Sequence, residues 1–296
     1  MTTTRTEASW AVLEKAAAAA DLRIHGAEVI RLSENDLWRL PDDVVARVAR
    51  AGQEQAAARE VAVTRWLAKE GVPAVRPLDV DQPVLALGRP TTFWEELPPH
   101  RSGSGADLAP LLRRLHDLPP PGDLPLDVMD PFVRLEDRLL SARILPEDDR
   151  RWLLDLLADL RAEWAQLPSG RQKSVIHGDA WAGNCAVTSQ GEAYLLDFER
   201  TALGHPEWDL TSTAVGVDTL GNLSHDAYEG HCSAYGYDVR TWEGYPTMRA
   251  IRELRMTSFA FQAADERPEI REQAMYRLSC LRGRGGPRPW GWQSLG

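Results

Sequence analysis

The pattern of apolar and polar positions divides the chain into an early stretch that mixes helix and strand and a longer stretch that is mainly helical. Short alternating runs between polar turns predict strands, and apolar residues at three- and four-residue steps predict helices. The strands predicted in the early stretch are 28–32, 37–40, 44–48, 84–87 and 91–94, and the helices are 7–22 and 53–70. Because the first strands follow one another through short polar connections, we expect them to form an antiparallel meander.

A candidate domain boundary follows the last of these strands. Residues 98–105 contain prolines, glycines and serines, which interrupt regular structure. We therefore expect an N-terminal lobe with an N-terminal helix over residues 1–97 and a C-terminal lobe over residues 98–296. Helical spacing dominates the second part, at 107–118, 131–145, 147–167, 209–219, 225–235, 245–267 and 268–282.

Two short apolar runs in the second part end in polar residues. They are the segments Ser174–Asn184, which carries Asp179 five residues before Asn184, and Leu195–Glu199, which carries Asp197. A turn between two predicted strands would bring Asn184 and Asp197 to the same end of a small sheet. Carboxylate and amide oxygens are the ligands that Mg²⁺ prefers. A further carboxylate beside a nucleotide phosphate can orient a hydroxyl group and accept its proton.

Composition and charge limit the kinds of molecule that we expect the protein to bind. The formal net charge of −10 argues against a nucleic-acid groove, where Lys and Arg must neutralise phosphates. It would suit a cationic substrate, although an acidic balance is also common among soluble enzymes.

The three cysteines show no metal-binding spacing, which is typical of reduced thiols. The first residues lack the apolar core of a signal peptide, and no apolar run is long enough to span a bilayer. We expect a cytoplasmic protein without membrane or nucleic-acid partners; the sequence leaves the oligomeric state open.

The motifs His177-Gly178-Asp179 with Asn184, and Asp197-Phe198-Glu199, resemble the HGDxxxxN and D-F-E signature of the aminoglycoside phosphotransferase and choline kinase-like family, which is structurally related to the protein kinases. The resemblance runs from about residue 28 to about residue 265. It implies an α+β, bilobal, protein-kinase-like fold, with a small β-rich N-lobe that contains one main helix and a larger, mainly helical C-lobe.

The resemblance also implies roles for individual residues. Asp179 would be the catalytic base and His177 would anchor its loop, while Asn184 and Asp197 would bind Mg²⁺. ATP would be the phosphate donor, with GTP as an alternative. The positions that match nucleotide-binding positions of the family are Ser33, Asn35, Arg47, Glu60, Glu95 and Leu97.

Arg47 and the loop that carries Ser33 and Asn35 depart from what is usual for phosphate binding. Arg47 stands where the family places a lysine that contacts the phosphates, with Glu60 as its helical partner; a guanidinium keeps the charge but changes the geometry. The loop that carries Ser33 and Asn35 has no glycine, which on its own is typical of a plain turn. Its S-x-N pattern matches the hairpin that covers the phosphates in the family.

The acceptor is the least defined part of the prediction. Glu199, Glu207 and Glu253 could face a cationic substrate, and each is equally compatible with a structural or solvated acid. We expect an O-phosphotransferase that acts on an aminoglycoside or another cationic antibiotic, which phosphorylation would inactivate. Alternatives are a biosynthetic kinase for a natural-product intermediate, an amino alcohol or a peptide Ser or Thr, and a kinase-like nucleotide-binding module without turnover.

Overall fold

The computed structural model describes residues 4–293 and residue 295. These residues form two compact units, each assembled from two stretches of the chain. The first unit combines the chain up to residue 126 with residues 177–202, and the second combines residues 127–176 with the chain from residue 203 onward. Residues 177–199, which include Asp179, Asn184 and Asp197, therefore belong to the first unit together with the N-terminal strands. The lobe boundary at residue 97 stays a prediction.

The regular elements alternate between helix and strand in the early stretch and are mainly helical afterwards. The strands are β1 (Glu28–Leu32), β2 (Asp36–Leu40), β3 (Val44–Val48), β4 (Val84–Ala86), β5 (Arg89–Glu95), β6 (His100–Ser102), β7 (Ser174–Ile176), β8 (Cys185–Thr188), β9 (Ala193–Leu195) and β10 (Ala202–Gly204). The helices are α1 (Arg5–Ala19), α2 (Glu54–Lys69), α3 (Gly105–His116), α4 (Leu135–Ser141), α5 (Glu147–Ala165), α6 (Pro206–Val215), α7 (His225–Tyr235), α8 (Tyr245–Glu266) and α9 (Arg271–Leu281). This arrangement confirms the predicted mixture of α and β structure.

The main sheet of the first unit has five antiparallel strands in the order β1-β2-β3-β5-β4. The predicted meander of the first strands is confirmed. Along β3, Val44, Ala46 and Val48 are buried and join a core with α1, whose start is fixed by a capping box between Thr4 and Glu7. Because successive side chains of a strand point to opposite faces, Arg47 lies on the other face of the sheet from this core.

A smaller sheet in the first unit places the predicted site segments. Its strands follow the order β6-β8-β9, and the turn between β8 and β9 contains Gly191 at φ +84°. The predicted hairpin is confirmed: Cys185, which follows Asn184, pairs with Leu195. Strand β6 was not expected, because we predicted irregular structure at residues 98–105. Its residues are exposed and lack apolar alternation, so its pairing with β8 defines it as a strand.

The second unit is built around α8, which packs against α4, α5, α6 and α9. Helix α6 begins with Pro206 and continues into a π-helical turn at Gly216–Leu220. The chain after α9 returns to the unit through Trp290 and Trp292, whose rings stack 5.2 Å apart and pack with Cys280. Among the residues that the structure describes, no helix has both the length and the apolar character needed to cross a membrane.

Candidate active site

His177 links the two predicted site segments. Its ring is buried, and Nε2 lies 2.8 Å from the carbonyl oxygen of Leu196, so this nitrogen carries the proton and donates it. The ring also lies 5.0 Å from that of Phe198. His177 therefore fixes the start of the Asp179 loop against the residues on either side of Asp197, as expected for an anchor.

Gly178 is required by the close approach of two backbone segments. Its φ is +82°, and a Cβ at this position would lie 2.2 Å from the carbonyl oxygen of Arg200. Only glycine is compatible with both restrictions. The next residue, Asp179, is 47% exposed in its side chain, and its Oδ2 lies 3.7 Å from Nε of Arg200. The carboxylate of Asp179 is thus oriented by a neighbour and accessible to a small molecule.

Asn184 connects the end of the Asp179 loop to Asp179 itself and to the Leu195–Glu199 segment. Its side-chain amide donates to the carbonyl oxygen of Asp179 at 2.9 Å, and its backbone carbonyl accepts from the N–H of Leu196 at 3.0 Å. Because the amide nitrogen is engaged, the amide oxygen is the part of the side chain left for a ligand. The structure thus brings Asn184 and the residue before Asp197 into direct contact.

Asp197 has the properties expected of a cation ligand. It adopts φ +64°, which is uncommon for a residue other than glycine. Its Oδ1 is buried and accepts no hydrogen bond from the described residues, although Nη2 of Arg47 lies 3.5 Å away. A bound cation would satisfy this oxygen. The described part of the chain has no cluster of three or more His, Cys, Asp or Glu residues suited to a metal.

Arg47 is surrounded by acidic groups of the first unit. Its Nη1 contacts Oε2 of Glu60, and its Nη2 lies 3.0 Å from Oε2 of Glu199. The side chains of Arg47 and Glu60 are 15% and 5% exposed. The predicted partnership between strand cation and helical carboxylate is present, and the fork of the guanidinium extends it to Glu199. A lysine, with one ammonium group, could not span these partners in the same way.

The electrostatics of this cluster keep Arg47 charged and make Glu60 titratable near neutrality. Burial raises the pKa of Glu60 to about 7, helped by repulsion from Asp197 and Glu199 and opposed by Arg47 and by the N–H of Phe198, 3.4 Å from Oε1. Burial alone would lower the pKa of Arg47, but the three carboxylates outweigh it and raise that pKa.

The hairpin at residues 33–35 reaches the same guanidinium. With its amide oxygen turned toward Arg47, Asn35 accepts from Nε at 3.0 Å and from Nη2 at 2.6 Å. The hydroxyl of Ser33 donates to the carbonyl oxygen of Asn35 at 3.2 Å. The buried carboxylate of Asp36 holds the hairpin in place by accepting from Arg89 at 2.8 Å. These contacts give the loop a defined shape without glycine.

A family profile described as "Phosphotransferase enzyme family" (APH) matches residues 27–251. The chain belongs to this family. The predicted class of enzyme, a small-molecule kinase that transfers phosphate to a hydroxyl group, is confirmed at this level. No curated protein sequence matches the chain.

Solved structures share the fold at low sequence identity. A choline/ethanolamine kinase family protein from Mesorhizobium loti is 22% identical, with 87% of each chain covered and a TM-score of 0.61. The amicoumacin kinase hAmiN in complex with AMP-PNP, Ca²⁺ and Ami is 14% identical, over 92% of this chain and 96% of that chain, with a TM-score of 0.64. The GDP and kanamycin complex of APH(2")-IIia is 14% identical, over 93% and 99%, with a TM-score of 0.65. These similarities confirm the predicted kinase-like fold.

The family resemblance also implies a hinge at residues 94–97, where the backbone of Glu95 and Leu97 would contact the edge of the adenine ring; in this phosphotransferase the stretch lies at the end of β5. The backbone N–H of Glu95 donates to the carbonyl oxygen of Arg76 at 2.9 Å, and that of Glu96 donates to Asp43 at 2.7 Å. Leu97 follows just outside the strand. The N–H of Glu95 is therefore already engaged, and the contacts of Glu95 and Leu97 with an adenine edge stay predictions.

The three acidic residues proposed for the acceptor occupy different environments. Glu199 pairs with Arg47 in the first unit. Glu207 is fully buried in the second unit, where its Oε1 accepts from the N–H of Arg171 at 2.5 Å. Glu253 is 1% exposed and binds Arg288 through both carboxylate oxygens, at 2.9 and 2.8 Å. For Glu207 and Glu253 these contacts favour the structural alternative.

Two neighbours of the predicted residues were not found from the sequence. Arg200 lies close to Asp179, but no motif or spacing in the sequence predicts this contact. Asp36 is buried between Arg5 and Arg89, at 2.8 Å from each. The only signal was an acid directly before a predicted strand, which also occurs in ordinary turns.

Proposed function

We propose that this phosphotransferase is a Mg²⁺-dependent enzyme that moves the γ-phosphate of ATP, with GTP as an alternative donor, to a hydroxyl group of a small cationic molecule. The favoured acceptor is an aminoglycoside or another cationic antibiotic. The observation that carries the proposal is the connection of Asp179, Asn184 and the Asp197 segment through His177 and the amide of Asn184.

Asp179 would act on the acceptor. Its side chain is partly exposed, and the loop around it is fixed by Gly178 and Asn184. A carboxylate held in this way can accept a hydrogen bond from a hydroxyl group and take its proton as the new O–P bond forms. Positioning of this kind is the main contribution that a protein makes to phosphoryl transfer.

Asn184 and Asp197 would hold the divalent cation. The cation, when bound, neutralises charge on the phosphates of the donor. The unsatisfied Oδ1 of Asp197 and the free amide oxygen of Asn184 fit this role. Arg47, oriented by Glu60, would supply a second positive charge for the phosphates, and Ser33 and Asn35 would cover them. The carbonyl of Glu95 and the backbone of Leu97 would face the base.

The choice of donor and cation rests on similarity as well as on these residues. The amicoumacin kinase structure contains AMP-PNP with Ca²⁺, and the APH(2")-IIia structure contains GDP. Both support a purine nucleotide as the donor for this chain, and the first also supports a divalent cation. The oxygen-only donor set of Asn184 and Asp197 favours Mg²⁺ among the cations available in cells.

The cationic acceptor is supported by charge. The chain has 44 acidic and 34 basic residues, so its long-range field attracts cations. Asp179 and Glu199 add local negative charge. Kanamycin in the APH(2")-IIia complex supports an aminoglycoside, and inactivation of an antibiotic would make this a resistance enzyme of the cytoplasm.

A second candidate is a biosynthetic kinase for an amino alcohol. The similarity to a choline/ethanolamine kinase family protein supports it, since such acceptors also combine a cation with a hydroxyl group. A binding module without turnover is disfavoured, because it would not need an accessible Asp179 beside an intact pair of metal-binding positions.

The test combines calorimetry with a transfer screen. We expect ATP or GTP to bind the purified chain tightly with Mg²⁺ and weakly without it, and Asp197→Asn to abolish the Mg²⁺-dependent gain. Transfer of labelled γ-phosphate would then be measured with kanamycin, spectinomycin, amicoumacin, choline, ethanolamine and a Ser-containing peptide. Transfer to an antibiotic supports the first candidate, and transfer to choline or ethanolamine alone supports the second. Absence of Mg²⁺-dependent binding of either nucleotide contradicts both.

A further inference from the structure

Trp181 has an unusual environment for a tryptophan. It lies two residues after Asp179 in the loop of the first unit and is 56% exposed, whereas the adjacent Ala180 is completely buried. Tryptophan is mostly buried in folded proteins, so a large exposed ring at this place is informative. The loop is closed by the Asn184 amide, which donates to the carbonyl oxygen of Asp179 at 2.9 Å, so the exposure of Trp181 does not result from a loose segment.

The side chain of Trp181 shares a side of the loop with that of Asp179. Exposure alternates along residues 179–181: Asp179 is 47% exposed in its side chain, Ala180 is completely buried and Trp181 is 56% exposed. Because Ala180 points into the interior, the side chains of Asp179 and Trp181 on either side of it both face solvent. A molecule whose hydroxyl group reaches Asp179 is therefore brought close to the indole ring.

The ring is held in one orientation by Gly183. A Cβ at position 183 would lie 2.1 Å from Cη2 of the indole and 2.4 Å from its Cζ2 and Cζ3, so the ring rests directly on the glycine. The backbone on both sides is closed by two hydrogen bonds: Asn184 N–H to the carbonyl oxygen of Trp181 at 2.9 Å, and the Asn184 amide to that of Asp179 at 2.9 Å. One face of the indole thus rests on Gly183, a contact that favours this orientation of the ring.

The acidic residues of this loop and of the segment joined to it favour a positively charged ligand. Asp179 is the acid closest in sequence, and Asp197 and Glu199 belong to the segment that His177 and Asn184 join to this loop. An indole face attracts cations more strongly than other aromatic side chains do. An ammonium group held against the ring would therefore gain from the π system and from the negative charge of Asp179 in the same loop.

We infer that Trp181 is a specificity-determining residue that holds the ammonium group of the acceptor against its indole face while the acceptor hydroxyl contacts Asp179. The inference rests on the proposed function and adds to it the residue that recognises the acceptor: Trp181 would hold a protonated amine that lies close to the phosphorylated hydroxyl. Trp181 takes no part in the chemical step.

The first test is ligand binding observed at the ring itself. The chain, labelled with 5-fluorotryptophan and loaded with Mg²⁺ and AMP-PNP, would be titrated with kanamycin, with choline and with the neutral polyol myo-inositol. The ¹⁹F resonance of Trp181 is the one that disappears in Trp181→Phe. We expect this resonance to shift saturably with at least one of the two amines and not with the polyol. A resonance that neither amine moves, or that the polyol moves equally, overturns the inference.

The second test separates binding from chemistry with the acceptor that the transfer screen identifies. Trp181→Ala should raise the acceptor KM about tenfold with little change in kcat, since the contact is made in both ground and transition states. Trp181→Phe should restore most of the affinity, and the nucleotide KM should not change in either variant. The control is Phe259→Ala, which removes another exposed aromatic side chain, 40% exposed in α8.

The outcomes distinguish this inference from the proposed function. Transfer by the wild-type chain with an unchanged acceptor KM in Trp181→Ala overturns the role of Trp181 and leaves the kinase assignment intact. An increased nucleotide KM in Trp181→Ala would assign the ring to the donor and also overturn the inference. Absence of Mg²⁺-dependent nucleotide binding in the wild-type chain contradicts the proposed function itself.

Discussion

Arg47 and Glu60 face each other inside the first unit, with Nη1 of the arginine in contact with Oε2 of the glutamate and both side chains largely buried. A buried ion pair of this kind contributes little net stability, yet removal of one partner leaves an uncompensated group in the interior. Arg47→Ala should therefore lower the free energy of unfolding by about 3 kcal/mol at pH 8, as measured by urea denaturation.

The second partner provides the control for this prediction. In the double variant Arg47→Ala/Glu60→Gln the loss should be smaller than the sum of the two single losses, because the charge of Glu60 is removed together with that of its partner. Arg23→Ala, which breaks an exposed ion pair with Asp42, should cost at most about 1 kcal/mol. Equal losses for Arg47→Ala and Arg23→Ala would contradict the buried pair.

Stability should also depend on the protonation of Glu60. Its pKa is about 7 in the folded chain, against an ordinary value of 4.5. Between these values the folded state binds more protons than the unfolded state, so the free energy of unfolding falls as pH rises from 4.5 to about 7. Below pH 4.5 the carboxyl group of Glu60 is largely protonated in both states, so it does not lower the free energy of unfolding. Above about pH 7 it is largely ionised in both states, and its full destabilising effect is present.

Comparison of variants isolates this contribution from other titrating groups. The free energy of unfolding of Glu60→Gln, followed by urea denaturation from pH 4.5 to pH 8, should fall less with pH than that of the wild-type chain, since glutamine does not titrate. Glu14→Gln, at an exposed position of α1, should keep the wild-type slope. A Glu60→Gln curve parallel to the wild-type curve would contradict the raised pKa.

The two glycines Gly178 and Gly191 allow a matched test of the Asp179 loop. Both have positive φ, +82° and +84°, but a Cβ at Gly178 would collide with the carbonyl of Arg200, whereas a Cβ at Gly191 would meet nothing within 4 Å. Gly191→Ala should cost about 1 kcal/mol of stability and leave phosphate transfer unchanged. Gly178→Ala should cost more and reduce transfer strongly, measured by denaturation and by the transfer assay. Equal effects would mean that the close approach to Arg200 does not hold the loop.

The pair of Glu253 and Arg288 decides between two roles for Glu253. If the glutamate is structural, Arg288→Ala removes its bidentate partner and leaves it with the hydroxyl of Thr219 at 2.7 Å and Arg249 at 3.8 Å. The free energy of unfolding should then fall by about 2 kcal/mol, with no change in acceptor KM. Denaturation and steady-state kinetics measure the two effects. A changed acceptor KM in a chain of normal stability would instead assign Glu253 to the substrate.

The sequence allowed prediction of those features that depend on local pattern. The strands at residues 28–32 and 44–48 and the hairpin that aligns Asn184 with Leu196 follow from alternation and turn residues, which act over a few positions. The predicted pairing of Arg47 with Glu60 followed from the family resemblance, and the structure shows the contact.

The features that were missed depend on approaches between distant segments. Strand β6 exists because exposed residues pair with β8, and Arg200 meets Asp179 only because Gly178 lets two backbones come together. The fork of Arg47 reaches Asn35 and Glu199 from different parts of the chain. No periodicity in a single segment can indicate such contacts.

Asp179 provides the most direct test of the central claim, that this first-unit site performs phosphoryl transfer to a hydroxyl group. The measurement is the single-turnover transfer of labelled γ-phosphate to the identified acceptor by the wild-type chain and by Asp179→Asn, together with calorimetry of Mg²⁺-nucleotide binding. We predict that transfer by Asp179→Asn falls about 100-fold or more while the nucleotide Kd stays within about twofold of wild type. Transfer at the wild-type rate by Asp179→Asn would contradict the account.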